Sequence, residues 1–248
     1  MKAIAVIPAR YASTRFPGKP LFKLAGKPMV QRVYERAAAA QRVASVMVAT
    51  DDERIYAAVR DFGGNAVMTS PDHATGTDRI AEAIRETDAE LIVNVQGDEP
   101  LIPPAVIDRL VAAMESSGAP MGTAAVPFRL TRARPEDPNA VKVVMDNQGF
   151  ALYFSRSPIP FCRNGGIAVE PLLHWGLYAY RREFIEEFVR WPRGRLEQCE
   201  MLEQLRAIEN GARIMVIVAE QPTQGVDTPE DAARVEALIR EEEGGSAR

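Results

Sequence analysis

The fold class follows from residues 3–21, which read AIAVIPARYASTRFPGKPL. Residues 3–7 are all apolar, as in a strand that is buried on both faces of a parallel sheet. The loop that leaves this strand carries the cations Arg10, Arg15 and Lys19, together with hydroxyl groups, a glycine and prolines. Open α/β sheets bind ligands at the carboxyl ends of their strands. The loop therefore predicts a site for a ligand with several negative charges, such as a nucleoside triphosphate.

This loop differs from the P-loop of nucleotide-binding proteins. Gly18-Lys19 and Gly26-Lys27 are each followed by proline, where a P-loop has the Ser or Thr that binds magnesium. No G-x-G-x-x-G follows the first strand, so a dinucleotide-binding dehydrogenase has no support. A solvated basic surface loop is the alternative, but hydroxyls, glycine and proline directly after a first strand favour a ligand site. Any metal ion must then be bound by carboxylates elsewhere.

The composition is that of an ordinary globular protein. The 248 residues are 46% hydrophobic and 26% charged, with a formal net charge of −4, so the basic loop is a local feature. This charge gives no reason to expect nucleic acid or a membrane surface as a partner. Cys162 and Cys199 form no C-x-x-C pair and only two histidines occur, which argues against structural zinc. We recognise no signal peptide and no membrane-spanning run, so we expect a cytoplasmic enzyme.

Strand-like and helix-like patterns alternate in the first part of the chain. Apolar stripes with helical spacing occur within residues 30–37, 55–62 and 106–114. The strand-like apolar runs are residues 4–7, 46–49, 91–95, 123–126, 141–144 and 214–218. The alternation predicts an α/β fold with a Rossmann-like, mostly parallel sheet flanked by helices.

The pattern becomes strand-rich between about residues 121 and 180. The turn sequence DNQG at residues 146–149 separates two strand-like runs and predicts a β-hairpin. We expect a small mixed β insertion here that supplies the contact of a homodimer, within one domain over residues 1–248. Helices are expected further on, at residues 182–190 and 196–209.

A last helix is marked by its capping residues. Thr228 is the expected cap, Pro229 stands in the first turn and Asp231 completes a capping box. The charged tail, residues 241–248, is expected to fray.

Carboxylates also follow two of the predicted strands. Two residues separate Asp98 from the run at residues 91–95, and Asp227 comes after the run at residues 214–218, just before the capped helix. Magnesium prefers one or two carboxylates together with phosphate and water, so Asp98 and Asp227 are candidate ligands. Each also fits an ordinary turn, and the sequence alone does not show that the two converge.

Two further polar positions have two interpretations each. Asp51 and Thr77 fit helix caps as well as they fit ligand contacts. The backbone amides of Gly76 and Thr77 at a helix start suit a base edge or an anion.

Taken together, these segments resemble the 3-deoxy-manno-octulosonate cytidylyltransferases, or CMP-Kdo synthetases, which activate a sugar acid for lipopolysaccharide. The resemblance covers nearly the whole chain and is most specific in residues 7–21 and in VNVQGDEP at residues 93–100. The related sialic-acid enzymes lack Tyr11 and the Thr14-Arg15 pair in the opening loop. The resemblance implies that CTP and Kdo react to give CMP-Kdo and pyrophosphate, with Mg²⁺ as the cofactor.

The resemblance also implies roles for individual residues. The CTP phosphates are expected to be bound by Arg10, Ser13, Arg15 and Lys19. The cytosine is expected near Ala9, Arg10, Thr75 and Gly76. The magnesium ligands are expected to be Asp98 and Asp227, and the catalytic groups are Arg10, Arg15, Lys19 and Asp98. The sugar acid is expected to contact Arg79, Gln96, Arg156, His174, Tyr178, Glu203 and Gln204.

Without the resemblance, two of these residues have plain interpretations. Glu203 lies opposite the apolar stripe of the predicted helix 196–209, formed by Met201, Leu202, Leu205 and Ile208, and is then a solvated charge. His174 is then an ordinary, partly buried histidine.

Three other functions stay open at this level. The chain could be a cytidylyltransferase for a related acid (8-amino-Kdo or sialate), a sugar-phosphate pyrophosphorylase, or a nucleotide-binding regulator without chemistry.

Overall fold

The computed structural model describes residues 1–12, 16–163, 169–222 and 224–245. In these ranges the strands are β1 (Ala3–Ala9), β2 (Lys23–Leu24), β3 (Lys27–Pro28), β4 (Ser45–Thr50), β5 (Ala66–Met68), β6 (Leu91–Asn94), β7 (Met121–Pro127), β8 (Lys142–Met145), β9 (Ala151–Ser155), β10 (Leu172–Arg181) and β11 (Ile214–Val218). The helices are α1 (Met29–Ala38), α2 (Glu53–Asp61), α3 (Gly76–Ala83), α4 (Pro104–Ser117), α5 (Arg182–Phe188), α6 (Arg195–Glu200), α7 (Leu205–Glu209) and α8 (Pro229–Gly245). None of the helices in these ranges has the length and apolarity that a membrane crossing needs.

The described chain divides into two compact units, residues 1–108 with residues 224–245, and residues 109–222. In the first unit a parallel sheet has the strand order β6-β1-β4-β5. Residues 3–7 are at most 2% exposed, because β1 lies between β4 and β6 in the sheet and packs against α1 and α3. In the predicted apolar stripes of α1 and α2 most residues are buried and the rest are half-buried. The parallel sheet flanked by helices, an α/β fold, is therefore confirmed.

The second unit is strand-rich, as its sequence predicts. Strand β7 pairs in parallel with β11 and antiparallel with β10, while β8 pairs antiparallel with both β10 and β9. The predicted hairpin joins β8 to β9 through a turn in which the Phe150 carbonyl accepts a hydrogen bond from the Asp146 N–H at 2.8 Å. Gly149 has a φ of 85°, which explains a glycine at the end of the turn.

Helices α2 and α3 are capped by other residues than the two that the sequence suggested. Asp52, not Asp51, caps α2 by accepting from the Arg54 N–H, since Asp51 instead pairs with Arg79. Thr75, not Thr77, caps α3 in a capping box with Asp78. In both cases the cap lies directly before the first helical residue, where its oxygen reaches unpaired amides.

The last helix starts as predicted and ends later than predicted. Thr228 and Asp231 form the expected capping box. Helix α8 continues to Gly245, into the tail that we expected to fray. Two residues of this last part, Glu242 and Glu243, form ion pairs with Arg36 and Arg32 of α1.

The single helix predicted over residues 196–209 is wrong. Met201 has a φ of 53°, in the left-handed region, and ends α6 before α7 begins at Leu205. The two short helices are joined by the buried ion pair between Arg206 and Glu197, whose side chains are 4% and 8% exposed. Met201 is consequently exposed rather than part of a buried stripe.

Candidate active site

In the loop after β1, Tyr11 and Gly18 are joined by a hydrogen bond, and Lys19 follows directly. The Gly18 N–H donates to the Tyr11 carbonyl at 3.0 Å, and Gly18 has a φ of 71°, which favours glycine. The turn that follows, Lys19–Leu21, is a short 3₁₀ helix. Two other predicted phosphate-binding residues of this loop, Ser13 and Arg15, lie outside the described residues.

The Lys19 ammonium group meets both predicted metal ligands. It donates to Asp98 Oδ2 at 2.8 Å and lies 3.7 Å from Asp227 Oδ1. It also donates to the Val226 carbonyl at 3.0 Å. Lys19 of the cationic loop therefore lies close to both aspartates within the first unit, although the three residues are far apart in the sequence.

The backbones of the two aspartate segments are joined directly. The Val226 N–H donates to the Asp98 carbonyl at 2.9 Å. A Cβ at Gly225 would lie 3.1 Å from Glu99 Oε1, so this approach favours glycine. The close packing of these segments explains why both carboxylates reach the same lysine.

The residues expected around the cytosine also come together in the first unit. Ala9 is buried at the end of β1, and Arg10 Nη2 donates to the His73 carbonyl at 2.8 Å. Thr75 lies two residues beyond His73 and is the N-cap of α3. The Pro8 ring lies 3.4 Å from the position of a Cβ on Gly76. The start of α3 therefore lies against the end of β1.

Arg79 and Gln96 are the sugar-acid candidates of the first unit. Arg79 is completely buried and donates from Nη2 to Asp51 Oδ2 at 2.7 Å. Its Nε–H has no hydrogen-bond partner among the described residues. Gln96 is half-buried and donates to Asn94 Oδ1 at 3.2 Å.

Three sugar-acid candidates of the second unit form a cluster. The rings of His174 and Tyr178 are 5.5 Å apart, and the Tyr178 hydroxyl donates to Gln204 Oε1 at 3.2 Å. Burial, with a contribution from the Glu203 charge, raises the pKa of Tyr178. Burial lowers the pKa of His174 from 6.5 to about 3. Both side chains are therefore neutral at pH 7.

The remaining two candidates, Arg156 and Glu203, make contacts with protein groups. Arg156 donates from Nε to the Glu200 carbonyl at 2.7 Å and from Nη1 to the Pro138 carbonyl at 2.8 Å. Glu203 lies between α6 and α7, 3.7 Å from Arg206. It is half-buried, unlike the fully solvated charge that a continuous helix predicts.

A family model described as cytidylyltransferase matches residues 4–214 of this chain. The 3-deoxy-manno-octulosonate cytidylyltransferase of Syntrophotalea carbinolica is 54% identical over 249 residues, covering 97% of this chain and 99% of the relative. That of Geobacter sulfurreducens is 54% identical over 246 residues, covering 95% and 98%. The chain belongs to the 3-deoxy-manno-octulosonate cytidylyltransferase family. It is therefore a nucleotidyltransferase.

Solved structures agree with this family membership. A CMP:2-keto-3-deoxy-manno-octonic acid synthetase complexed with CTP matches with a TM-score of 0.92 and 45% identity, covering 98% of this chain and all of that chain. A cytidylyltransferase from Leptospira borgpetersenii matches with a TM-score of 0.65 and 17% identity, covering 96% and 87%. The second likeness shows a common fold alone.

Two groups of this cytidylyltransferase were not among the candidates. The Val226 carbonyl contacts Lys19, but a backbone contact leaves no side-chain pattern in a sequence. The Thr123 hydroxyl lies 3.0 Å from His174 Nε2. The sequence signal for Thr123 is a single polar side chain in a strand-like apolar run. In the structure this side chain is fully buried.

Proposed function

We propose that the chain transfers a cytidylyl group from CTP to 3-deoxy-manno-octulosonate and releases pyrophosphate. The anomeric hydroxyl oxygen forms a bond to the α-phosphorus of CTP, the bond to the bridging oxygen of the β-phosphate breaks with its electron pair leaving on pyrophosphate, and the hydroxyl proton passes to solvent water. The observation that carries the proposal is the meeting of Lys19 with Asp98 and Asp227. It places a cation and two carboxylates together beside the loop that leaves β1.

Cationic side chains can stabilise the departing pyrophosphate. Among the described residues the cationic candidates are Lys19 and Arg10. The same loop of the sequence also contains the cation Arg15 and the hydroxyl of Ser13. A charge pair at about 4 Å is worth about 1 kcal/mol in water and about 4 kcal/mol at an effective dielectric of 20. Fixed cations beside the leaving group therefore contribute most where water is excluded.

Asp98 and Asp227 fit a magnesium ion. Both carboxylates already approach one cationic group, and the Val226 carbonyl adds a third oxygen to this set. Magnesium typically takes one or two carboxylates and completes its ligands with phosphates and water. When bound, such an ion neutralises phosphate charge and lowers the pKa of a coordinated hydroxyl. Within the described ranges, no group of three or more His, Cys, Asp or Glu side chains is arranged for a metal.

The remaining candidates serve binding and orientation. We assign the cytosine to the neighbourhood of Ala9, Arg10, Thr75 and Gly76, where backbone groups at the start of α3 suit a base edge. For the sugar acid we keep the candidates that the family resemblance implies in each unit taken by itself: Arg79 and Gln96 in the first, and Arg156, His174, Tyr178, Glu203 and Gln204 in the second. Orientation by such groups can supply much of the rate of a reaction between two substrates.

Pyrophosphate release tests this function directly. The purified chain is mixed with CTP and Kdo in the presence of Mg²⁺, and matched reactions replace CTP by UTP, replace Kdo by sialic acid, or contain a chelator. We expect release with CTP and Kdo alone, lost on chelation. Release only with sialic acid would assign a different acid, and binding of CTP without any release would indicate a regulator.

A homodimer is part of the same proposal. In the strand-rich subregion Leu152 and Phe161 expose 59% and 88% of their surface. Contact with a second copy would remove the apolar surface of these side chains from water. Sedimentation velocity should give a dimer, and a monomer at micromolar concentration would contradict the assignment.

A further inference from the structure

Strand β10 carries an irregularity at the centre of the second unit. Trp175 pairs with Ala124 and Tyr178 with Thr123, so in this fully described part of the sheet two residues are left out of the ladder. Four residues of regular strand span about 13 Å, whereas the rings of His174 and Tyr178 are 5.5 Å apart. Bulges redirect side chains in this way. The bulge therefore brings His174 and Tyr178 together.

The Thr123 hydroxyl lies inside this bulge. Its Oγ1 is 2.8 Å from the Leu177 carbonyl, 3.2 Å from the Trp175 carbonyl and 3.0 Å from His174 Nε2. Carbonyl oxygens only accept, and a hydroxyl has one proton to donate. The proton of Thr123 is thus directed to the bulge carbonyls, and a lone pair faces His174.

We propose that Thr123 is a positioning residue that fixes His174 in the Nε2–H tautomer, so that Nδ1 carries a lone pair. A neutral imidazole protonated at one nitrogen accepts at the other. His174 is neutral because burial lowers its pKa to about 3. The ring can then accept a hydrogen bond from a ligand hydroxyl but cannot donate one to a carboxylate through Nδ1.

Gln204 offers the complementary group in the same cluster. Its Oε1 accepts from Tyr178, and its Nε2 is buried without a hydrogen-bond partner among the described residues. The cluster thus combines an acceptor at His174 with a donor at Gln204. A sugar acid has hydroxyl donors and oxygen acceptors for both. This step to the substrate rests on the proposed function, whereas the tautomer of His174 does not.

Long-range ¹H–¹⁵N NMR of the full chain tests the tautomer. The sequence has two histidines, so a His73→Gln variant assigns the signals of His174. We expect a protonated Nε2 in the wild type and in Thr123→Ser, which keeps the hydroxyl. In Thr123→Val, which has the same shape but no acceptor, we expect the proton to redistribute toward Nδ1.

Kinetics test the consequence for binding. Loss of one oriented hydrogen bond should raise the KM for Kdo about tenfold in Thr123→Val. The KM for CTP should stay within about twofold of the wild-type value. In Thr123→Ser, both KM values should equal those of the wild type. If no sugar acid reacts, the proposed function fails while the spectra still decide the tautomer.

Three results would overturn the inference. The first is a protonated Nδ1 in the wild type, which needs no variant and therefore decides even if Thr123→Val does not fold. The second is a Thr123→Val spectrum identical to that of the wild type. The third is a raised KM for Kdo without any change of tautomer, which would make Thr123 a structural residue of the bulge.

Discussion

Replacing Lys19 by methionine removes one charge from the candidate active site and keeps most of the side-chain volume. The Lys19 ammonium lies 2.8 Å from Asp98 and 3.7 Å from Asp227, and the lysine side chain is 16% exposed. At about 3 Å a charge pair is worth roughly 1.4 kcal/mol in water and roughly 5.5 kcal/mol at an effective dielectric of 20. Lys19→Met therefore leaves two neighbouring carboxylates without this neutralising cation.

The effect on activity should be much larger than the effect on stability. Loss of one preorganised charge lowers the rate about 10²-fold, or about 2.7 kcal/mol of barrier. Ion pairs with exposed partners contribute at most about 1 kcal/mol to folding. We expect kcat/KM for CTP, from a continuous pyrophosphate assay, to fall about 10²-fold while the free energy of unfolding in urea changes by about 1 kcal/mol or less.

Lys27→Met is the matched control. Lys27 lies in the same unit, 2.8 Å from Glu35, and both side chains are 42% exposed. The control removes the same charge without touching Asp98 or Asp227. A kcat/KM of Lys19→Met within about threefold of the wild type would refute the reasoning, and so would an equal loss in both variants.

Three further predictions concern a carboxylate, the loop and the half-buried His174. Asp98→Asn should lower turnover at least about 10²-fold and weaken CTP binding in calorimetry far less; an active variant would contradict the metal-binding role. Gly18→Ala should lower the free energy of unfolding by about 1–2 kcal/mol in urea, because φ is 71° and the Tyr11 ring lies 3.2 Å from the added Cβ; an unchanged midpoint would contradict this. The pKa of His174 is lowered from 6.5 to about 3, so the unfolded chain binds more protons between these values and stability falls as the pH drops below 6.5. The wild type should lose about 2 kcal/mol between pH 7 and pH 5 beyond the loss in His174→Gln, and equal losses would be evidence against a ring that stays neutral in the folded chain.

Local patterns predicted the first unit well. The apolar run at residues 3–7 and the stripes of α1 and α2 report burial directly, because a covered strand and a half-covered helix impose different spacings. The capping box of Thr228 and Asp231 was readable for the same reason, since its two hydrogen bonds lie within one turn.

The second unit shows where local patterns fail. A continuous helix over residues 196–209 has a consistent apolar stripe, but Met201 adopts a left-handed conformation and the chain reverses. The break is stabilised by the buried pair of Arg206 and Glu197 and by the Arg206 guanidinium, 4.7 Å from the centre of the Phe188 ring. Glu197 and Arg206 both lie within the predicted helix, but a stripe of apolar residues does not report an ion pair between them, and Phe188 lies outside that window.

The meeting of Asp98 and Asp227 at Lys19 could be predicted from the sequence only in part. A parallel sheet places the loops after β1 and β6 at one edge, which the sequence could indicate. Asp227 does not follow directly on a strand of the first unit, because the nearest preceding strand, β11, belongs to the second unit. Its N–H donates to Asp231 Oδ2 at 3.1 Å, while the neighbouring Val226 N–H donates to the Asp98 carbonyl at 2.9 Å. Asp227 is therefore positioned by a capping box, which the sequence predicts, and by a backbone contact, which it does not. A change that breaks either one should move this carboxylate away from Lys19.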